Sequence, residues 1–387
     1  MNFIRSRWAL ISIAAIFGIS AYAANFLFSK KDGYVGAEPV VFSQNTEASV
    51  EAAAEELPKI THIKTPASVK AIYMTSWVAG TTDWRESLVE LIDSTELNSI
   101  VIDVKDYSGH LSFEPTDPVL KEIGSAEKRI PDVKEFINEL HQKNIYVIAR
   151  ISVFQDPFMV KARPDLAVKK NNGSVWKDYK GITWIDPASK EYWDYIIRIS
   201  KECEKSGFDE LNFDYIRFPS DGNMKDISYD FWDEKTPKAE VMKNFYKYLS
   251  GGLKEIDITL SADLFGMTTW NEDDLNIGQV LGDAGQYFDY VAPMVYPSHY
   301  PATFQGYKNP AAHPYEIVYS AMVRGSEKLL AASTTPSKLR PWLQDFDLGA
   351  DYGITEVRAQ KKAVYDAGLT SWMLWAPSNK YTEGALD

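Results

Sequence analysis

From Ser68 to the end of the chain, short apolar runs alternate with amphipathic ones, and that alternation admits few folds. Residues 70–76, 99–105, 146–154, 210–218, 258–265, 290–296, 339–345 and 371–377 read as strands. Helical periodicity falls between them, near 84–95, 132–143, 189–205, 237–253, 277–287, 315–330 and 355–366. Eight strands joined by crossover helices predict an α/β protein, a (β/α)8 TIM barrel whose last helix is missing or supplied elsewhere. An open doubly wound sheet is the alternative, but no glycine-rich phosphate turn follows the first strand.

Link lengths mark one busy end. Helix-to-strand links such as 96–98, 206–207 and 368–369 are short, whereas the strand-to-helix links 106–131, 155–188, 220–236 and 297–314 are long. In a barrel the long ones emerge together on the carboxyl face, where active sites sit. They are rich in rings: Trp176, Trp184 and Trp232 either form a rim on which sugars stack or cap the barrel and fill its core.

The strand at 210–218 sets Leu211, Phe213 and Tyr215 on one side and Glu210, Asn212 and Asp214 on the other. The inside of a parallel barrel is normally filled by branched apolar side chains, so an acidic ladder there needs a reason. One reason is a buried ion pair or hydrogen-bond network that holds register; the other is a catalytic carboxylate at a strand end. The same alternation turns Val101, Asp103 and Lys105 inward on the second strand, and Arg150 with Ser152 on the third. It also turns in Thr259, Ser261 and Asp263 on the fifth, and Arg340, Trp342 and Gln344 on the seventh, while Tyr296 ends the sixth.

Two carboxylates across a pocket are the minimum equipment for cleaving a glycosidic bond, one ionised and one held protonated. Asp214 and Asp263 lie at matching heights on neighbouring strands, and Asp103 is the third candidate. For Asp103 the alternative is a structural pair with Arg150 or with neighbours of Lys105. Adjacent strands are only ~4.8 Å apart, which favours the short carboxylate separation of retaining enzymes. Lys105, Arg150, Asn212, Arg217, Tyr296 and Gln344 are the expected polar contacts to substrate.

Composition narrows the partners. The 387-residue chain has 41 Lys and Arg against 54 Asp and Glu, a net charge of −13, which argues against nucleic acid. Five scattered histidines lack metal-ligand spacing, which argues against a dedicated zinc or iron site, and no cofactor motif is present. The single Cys203 reads as a core residue.

At the amino terminus Arg5 and Arg7 precede an apolar run over 8–28, long enough to span a bilayer. The Ala21-Tyr22-Ala23 triplet equally fits a cleaved signal. Residues 1–29 are therefore expected to be a signal peptide or membrane anchor. Residues 30–67 read as a flexible, disordered linker, and 68–387 as the barrel, placed outside the cytoplasm in either case.

The stretches IVIDVKDYSG (100–109), IYVIARISVFQDP (145–157), GITWIDP (181–187), GFDELNFDYIRFPS (207–220) and SADLFG (261–266) resemble a bacterial glycoside hydrolase domain family, formerly a domain of unknown function. The likeness runs from about Val69 to Asn379 and implies a barrel glycosidase acting on a poly- or oligosaccharide. A more distant likeness is to chitinase-like barrels, whose fourth strand shares the rhythm of 207–216; Met294, Tyr296 and Trp375 also echo them, the last implying a substrate contact. The chitinase acid falls on Ile216 here, so that family's substrate-assisted route is excluded. The expected function is hydrolysis of a cell-envelope or extracellular polysaccharide. The rivals are a non-catalytic carbohydrate-binding barrel at the cell surface, and a metal-dependent hydrolase or aldolase. The last two lack, respectively, a His-x-His pair and a lysine isolated from acids.

Overall fold

A computed structural model describes residues 60–387. Eight parallel strands close on themselves: β1 (Lys70–Met74), β2 (Ser99–Lys105), β3 (Tyr146–Ser152), β4 (Glu210–Asp214), β5 (Thr259–Phe265), β6 (Tyr290–Met294), β7 (Trp342–Gln344) and β8 (Trp372–Trp375). Closure is made by β8 on β1, with Lys70 beside Trp372 and Ile72 beside Leu374. The expected barrel is thus the observed one. Several strands end earlier than periodicity suggests, because at the carboxyl face the chain leaves the ladder to build loops. β4 stops at Asp214, and Tyr215 adopts a left-handed φ of 53°. The β6–β7 seam is thinnest, paired at Met294 and Trp342.

The crossover helices form where apolar side chains recur at helical spacing. In Val133–Gln142, for example, Val133, Phe136, Ile137 and Leu140 all face inward. Lys190–Lys205 is capped by Ser189, which accepts from the Tyr192 N–H, and buries Tyr192, Trp193, Ile196, Ile199 and Cys203 against the barrel. A positive φ of 105° at Gly207 then turns the chain into β4, and an added Cβ would sit 3.1 Å from Ile137. After β8 a single 3-10 turn, Glu383–Ala385, stands where an eighth helix would be.

The strands carry two cores. Their outward residues join the helices in one large cluster; the inward set, including Ala71, Tyr73, Val101, Ile148, Ala292, Trp342 and Met373, fills the lumen. At its lower end Glu210 accepts from Arg340 Nη1 at 2.8 and 3.0 Å, from Ser261 Oγ at 2.6 Å and from Tyr146 at 3.0 Å. The bottom rung of the acidic ladder is therefore structural.

Residues 60–67, read from sequence as part of the linker, touch that lower end. The Ile63 N–H donates to Asp209 at 2.8 Å, and Thr65 meets Tyr146 and Thr259 at 2.9 and 3.1 Å. The signal or anchor call, and the linker up to residue 59, lie outside the described residues. Among the described residues no helix is long and apolar enough to cross a membrane.

Candidate active site

Four strands deliver the upper lumen. Arg150 on β3 donates from Nη1 to Asp103 Oδ1 at 2.6 Å and from Nη2 to Asp214 Oδ2, while its Nε lies 3.7 Å from Asp263 Oδ2. All four groups are buried, so one guanidinium serves three carboxyl groups in a poorly screened space. The β4–β5 register sets Asn212 beside Ser261 and Phe213 beside Ala262, which brings Asp214 and Asp263 level at the top.

The two aspartates have different surroundings. Asp214 accepts on both oxygens, from Arg150 and from the Tyr215 N–H at 2.6 Å. Asp263 accepts on Oδ1 from Trp342 Nε1 at 2.7 Å and Asn212 Nδ2 at 2.9 Å. Burial first, then the neighbouring charge of Asp214, pushes its carboxyl up to about 8, against the pull of Arg150. With Oδ1 occupied by two N–H donors, Oδ2 is the natural seat of the proton. Asp103 is also raised by burial; it accepts from Arg150 and from the Tyr73 hydroxyl, and it orients the arginine.

Trp375 is half-buried; its ring lies 5.1 Å from the Arg150 guanidinium and stacks on Tyr73 at 4.0 Å. Tyr296 is held in the field of Asp263 and Asp214, its hydroxyl pushed up chiefly by burial. That hydroxyl makes no hydrogen bond among the described residues and is not sealed from solvent. The expected residues that converge are therefore Asp103, Asp214, Asp263, Arg150, Tyr296 and Trp375, with Arg217 beside them.

Others are placed differently. Lys105 was expected in the mouth, but a β-bulge between Asp103 and Lys105 flips its direction. It is sealed behind the sheet, 3.0 Å from Asp156 and donating to the Ser152 carbonyl at 2.7 Å. Asn212 is fully buried and bridges Ser261 and Asp263, so it orients the acid rather than meeting substrate. Gln344 is spent on backbone: it accepts from Ser298 N–H at 3.2 Å and donates to the Phe346 carbonyl at 2.8 Å.

The expected tryptophan rim is also corrected. Residues after β3 fold back as a small antiparallel excursion, bridging Ala167 to Ile185 and Lys169 to Val175, and joining Asp178 to Gly222. Trp176 and Trp184 are its core, each 1% exposed, donating to the Asn223 carbonyl and to Asp178. Trp232 packs edge-on against Phe218 and Tyr229 and donates to Thr236. The open rings of the carboxyl-face loops include Trp77, Tyr107 and Tyr179, at 58%, 62% and 71% exposure.

Tyr73 and Trp342 were missed as site residues, although inward parity on the seventh strand pointed to Trp342. Tyr215 carried no such signal, because its role depends on a backbone kink.

Among the described residues no group of three or more His, Cys, Asp or Glu is arranged to hold a metal ion.

Against known proteins, the family described as "Putative glycosyl hydrolase domain" matches residues 71–381. No curated protein matches the chain. A hypothetical protein from Ruminiclostridium thermocellum is 34% identical, with a TM-score of 0.45, over 53% of this chain and 98% of its own. Alpha-L-fucosidase isoenzyme 2 from Paenibacillus thiaminolyticus is similar at a TM-score of 0.53 and 11% identity, over 82% of this chain and 48% of that one. A class V chitinase from Pseudomonas fluorescens is similar at 0.50 and 10%, over 82% and 97%. At such identities the last two speak for the fold.

Proposed function

The chain belongs to the glycosyl hydrolase domain family, and from that premise we propose that it hydrolyses glycosidic bonds of a cell-envelope or extracellular polysaccharide, with Asp214 and Asp263 as the reacting pair. The observation that carries this reading is the asymmetry of the pair. Two level aspartates share one arginine, yet Asp214 is in direct contact with that cation and with the Tyr215 N–H, while burial and its neighbour push Asp263 up to about 8.

In the proposed reaction Asp263 gives its Oδ2 proton to the glycosidic oxygen as the bond to the anomeric carbon breaks. Asp214 attacks that carbon and forms a glycosyl ester. Asp263, now a carboxylate, takes a proton from water as the water cleaves the ester and restores Asp214. Level side chains on strands ~4.8 Å apart suit the ~5 Å separation of this double displacement, so retention is the expected outcome. Arg150 offsets the charge that moves between the carboxyl groups, and Asp103 with Tyr73 keeps it aimed. Trp375 offers a ring face to the sugar, and Tyr296 a hydroxyl to one of its oxygens.

A glycan hydrolysis screen comparing the wild type with Asp214→Ala and Asp263→Asn tests the proposal. Release of reducing ends by the wild type, lost by orders of magnitude in both variants with unchanged melting, supports it. Equal rates in all three defeat it. Binding without cleavage by the wild type would favour a carbohydrate-binding barrel, a reading supported by the exposed Trp77, Tyr107 and Tyr179. The amino-terminal segment supports placing this activity outside the cytoplasm, tethered or secreted.

A further inference from the structure

Arg217 follows Asp214 by three residues and is nearly buried, at 5% exposure. Its guanidinium carbon lies 4.8 Å from the Trp184 ring, 5.3 Å from Tyr215 and 4.7 Å from Phe265. Phe265 ends β5 two residues beyond Asp263, so the rings hold this cation beside the carboxylate pair. Nη1 donates to the Phe218 carbonyl and to Ser220 Oγ, both at 3.1 Å. Nε and Nη2 have no hydrogen-bond partner among the described residues, yet they are not sealed from solvent.

A buried arginine ordinarily has a carboxylate in its fork. Here the described acids that influence it are otherwise engaged or set apart. Asp178 Oδ1 accepts from the N–H groups of Lys180 and Ile182 at 2.9 Å, and its Oδ2 from Trp184 Nε1 at 3.2 Å. Asp221 acts on Arg217 through its charge, without a hydrogen bond to it. Asp214 spends its oxygens on Arg150 and Tyr215. Ring stacking fixes the plane of the guanidinium without using its N–H groups, leaving Nε and Nη2 as donors without partners among the described residues.

We propose that Arg217 recognises an oxyanion carried by the sugar next to the scissile bond, so that the substrate is an acidic rather than a neutral glycan. This inference rests on reading the barrel mouth as a glycan site. The net charge of −13 opposes such a ligand at long range, but screening beyond ~8 Å in physiological salt leaves recognition to local pairing.

Saturation-transfer NMR with glucuronic acid, glucose 6-phosphate and glucose tests it on the wild type, Arg217→Gln, Arg217→Lys and Asp214→Asn. The wild type should bind one or both charged sugars about tenfold or more tightly than glucose, a preference typical of a charge-assisted contact. The carboxylate and phosphate arms identify which oxyanion fits. Arg217→Gln should lose the preference and Arg217→Lys keep part of it. Equal binding of charged and neutral sugars by the wild type, no binding of any, or an undiminished preference in Arg217→Gln overturns the inference. The wild-type comparison stands even if Arg217→Gln does not fold. Hydrolysis separates the two readings: charge preference in the wild type without any hydrolysis leaves the recognition standing and removes the enzyme, whereas hydrolysis lost in Asp214→Asn with the preference kept supports both.

Discussion

Replacing Arg150 with glutamine removes the cation shared by three inward carboxyl groups, and the cost follows from the geometry. Asp103 at 2.6 Å and Asp214 are in direct contact, and Asp263 stands 3.7 Å away. At an effective dielectric of ~20, each direct contact with charge centres ~4 Å apart contributes about 4 kcal/mol. Desolvating the arginine takes back several kcal/mol, so losing it should destabilise the fold by about 3–5 kcal/mol near neutral pH, the range for breaking a buried pair. The loss must depend on pH. Without the cation, the carboxyl groups of the folded variant hold protons more tightly than those of the unfolded chain. The variant therefore gains stability as pH falls, and the gap to wild type should narrow markedly between pH 7.5 and 5. Urea denaturation followed by tryptophan fluorescence at several pH values measures this. A deficit under ~1 kcal/mol, or one constant across that range, would refute the claim that Arg150 is the electrostatic keystone of the site.

Further outcomes are expected. With Asp263 as the proposed acid and its carboxyl raised to about 8, hydrolysis should fall as pH rises through about 8. By the same shift, its contribution to stability is fully present below about pH 3.8 and fades as pH rises toward about 8; Asp263→Asn should flatten that slope in melting curves. Trp375→Ala should weaken glycan binding by ~1 kcal/mol with modest effect on folding. Trp176→Ala or Trp184→Ala should instead cost about 3–5 kcal/mol of stability, and the reverse pattern in calorimetry would restore the two rings to a substrate rim. Protease applied outside intact cells should remove the barrel, and full protection would refute an extracytoplasmic domain.

The barrel was legible in the sequence because backbone periodicity is local: burial on both faces of a strand, or on one face of a helix, leaves its mark within ten residues. Inward parity on β3, β4 and β5 likewise marked Arg150, Asp214 and Asp263 before any coordinates, since a strand alternates strictly while its ladder is regular. Tertiary structure decided the rest wherever regularity fails or distant residues meet. One extra residue in β2 turned Lys105 out of the lumen toward Asp156. The excursion after β3 found its own core and took Trp176 and Trp184 from the rim. Glu210 and Asp214 belong to one ladder, but the first is tied to Arg340 as a structural plug and the second to Arg150 among the upper carboxyl groups. Which aspartate holds the proton depends on Trp342 and Asn212 reaching Asp263 across the lumen and on the depth of its burial. A proton's affinity is set by everything within a few ångströms, and the chain order says little about which residues those are.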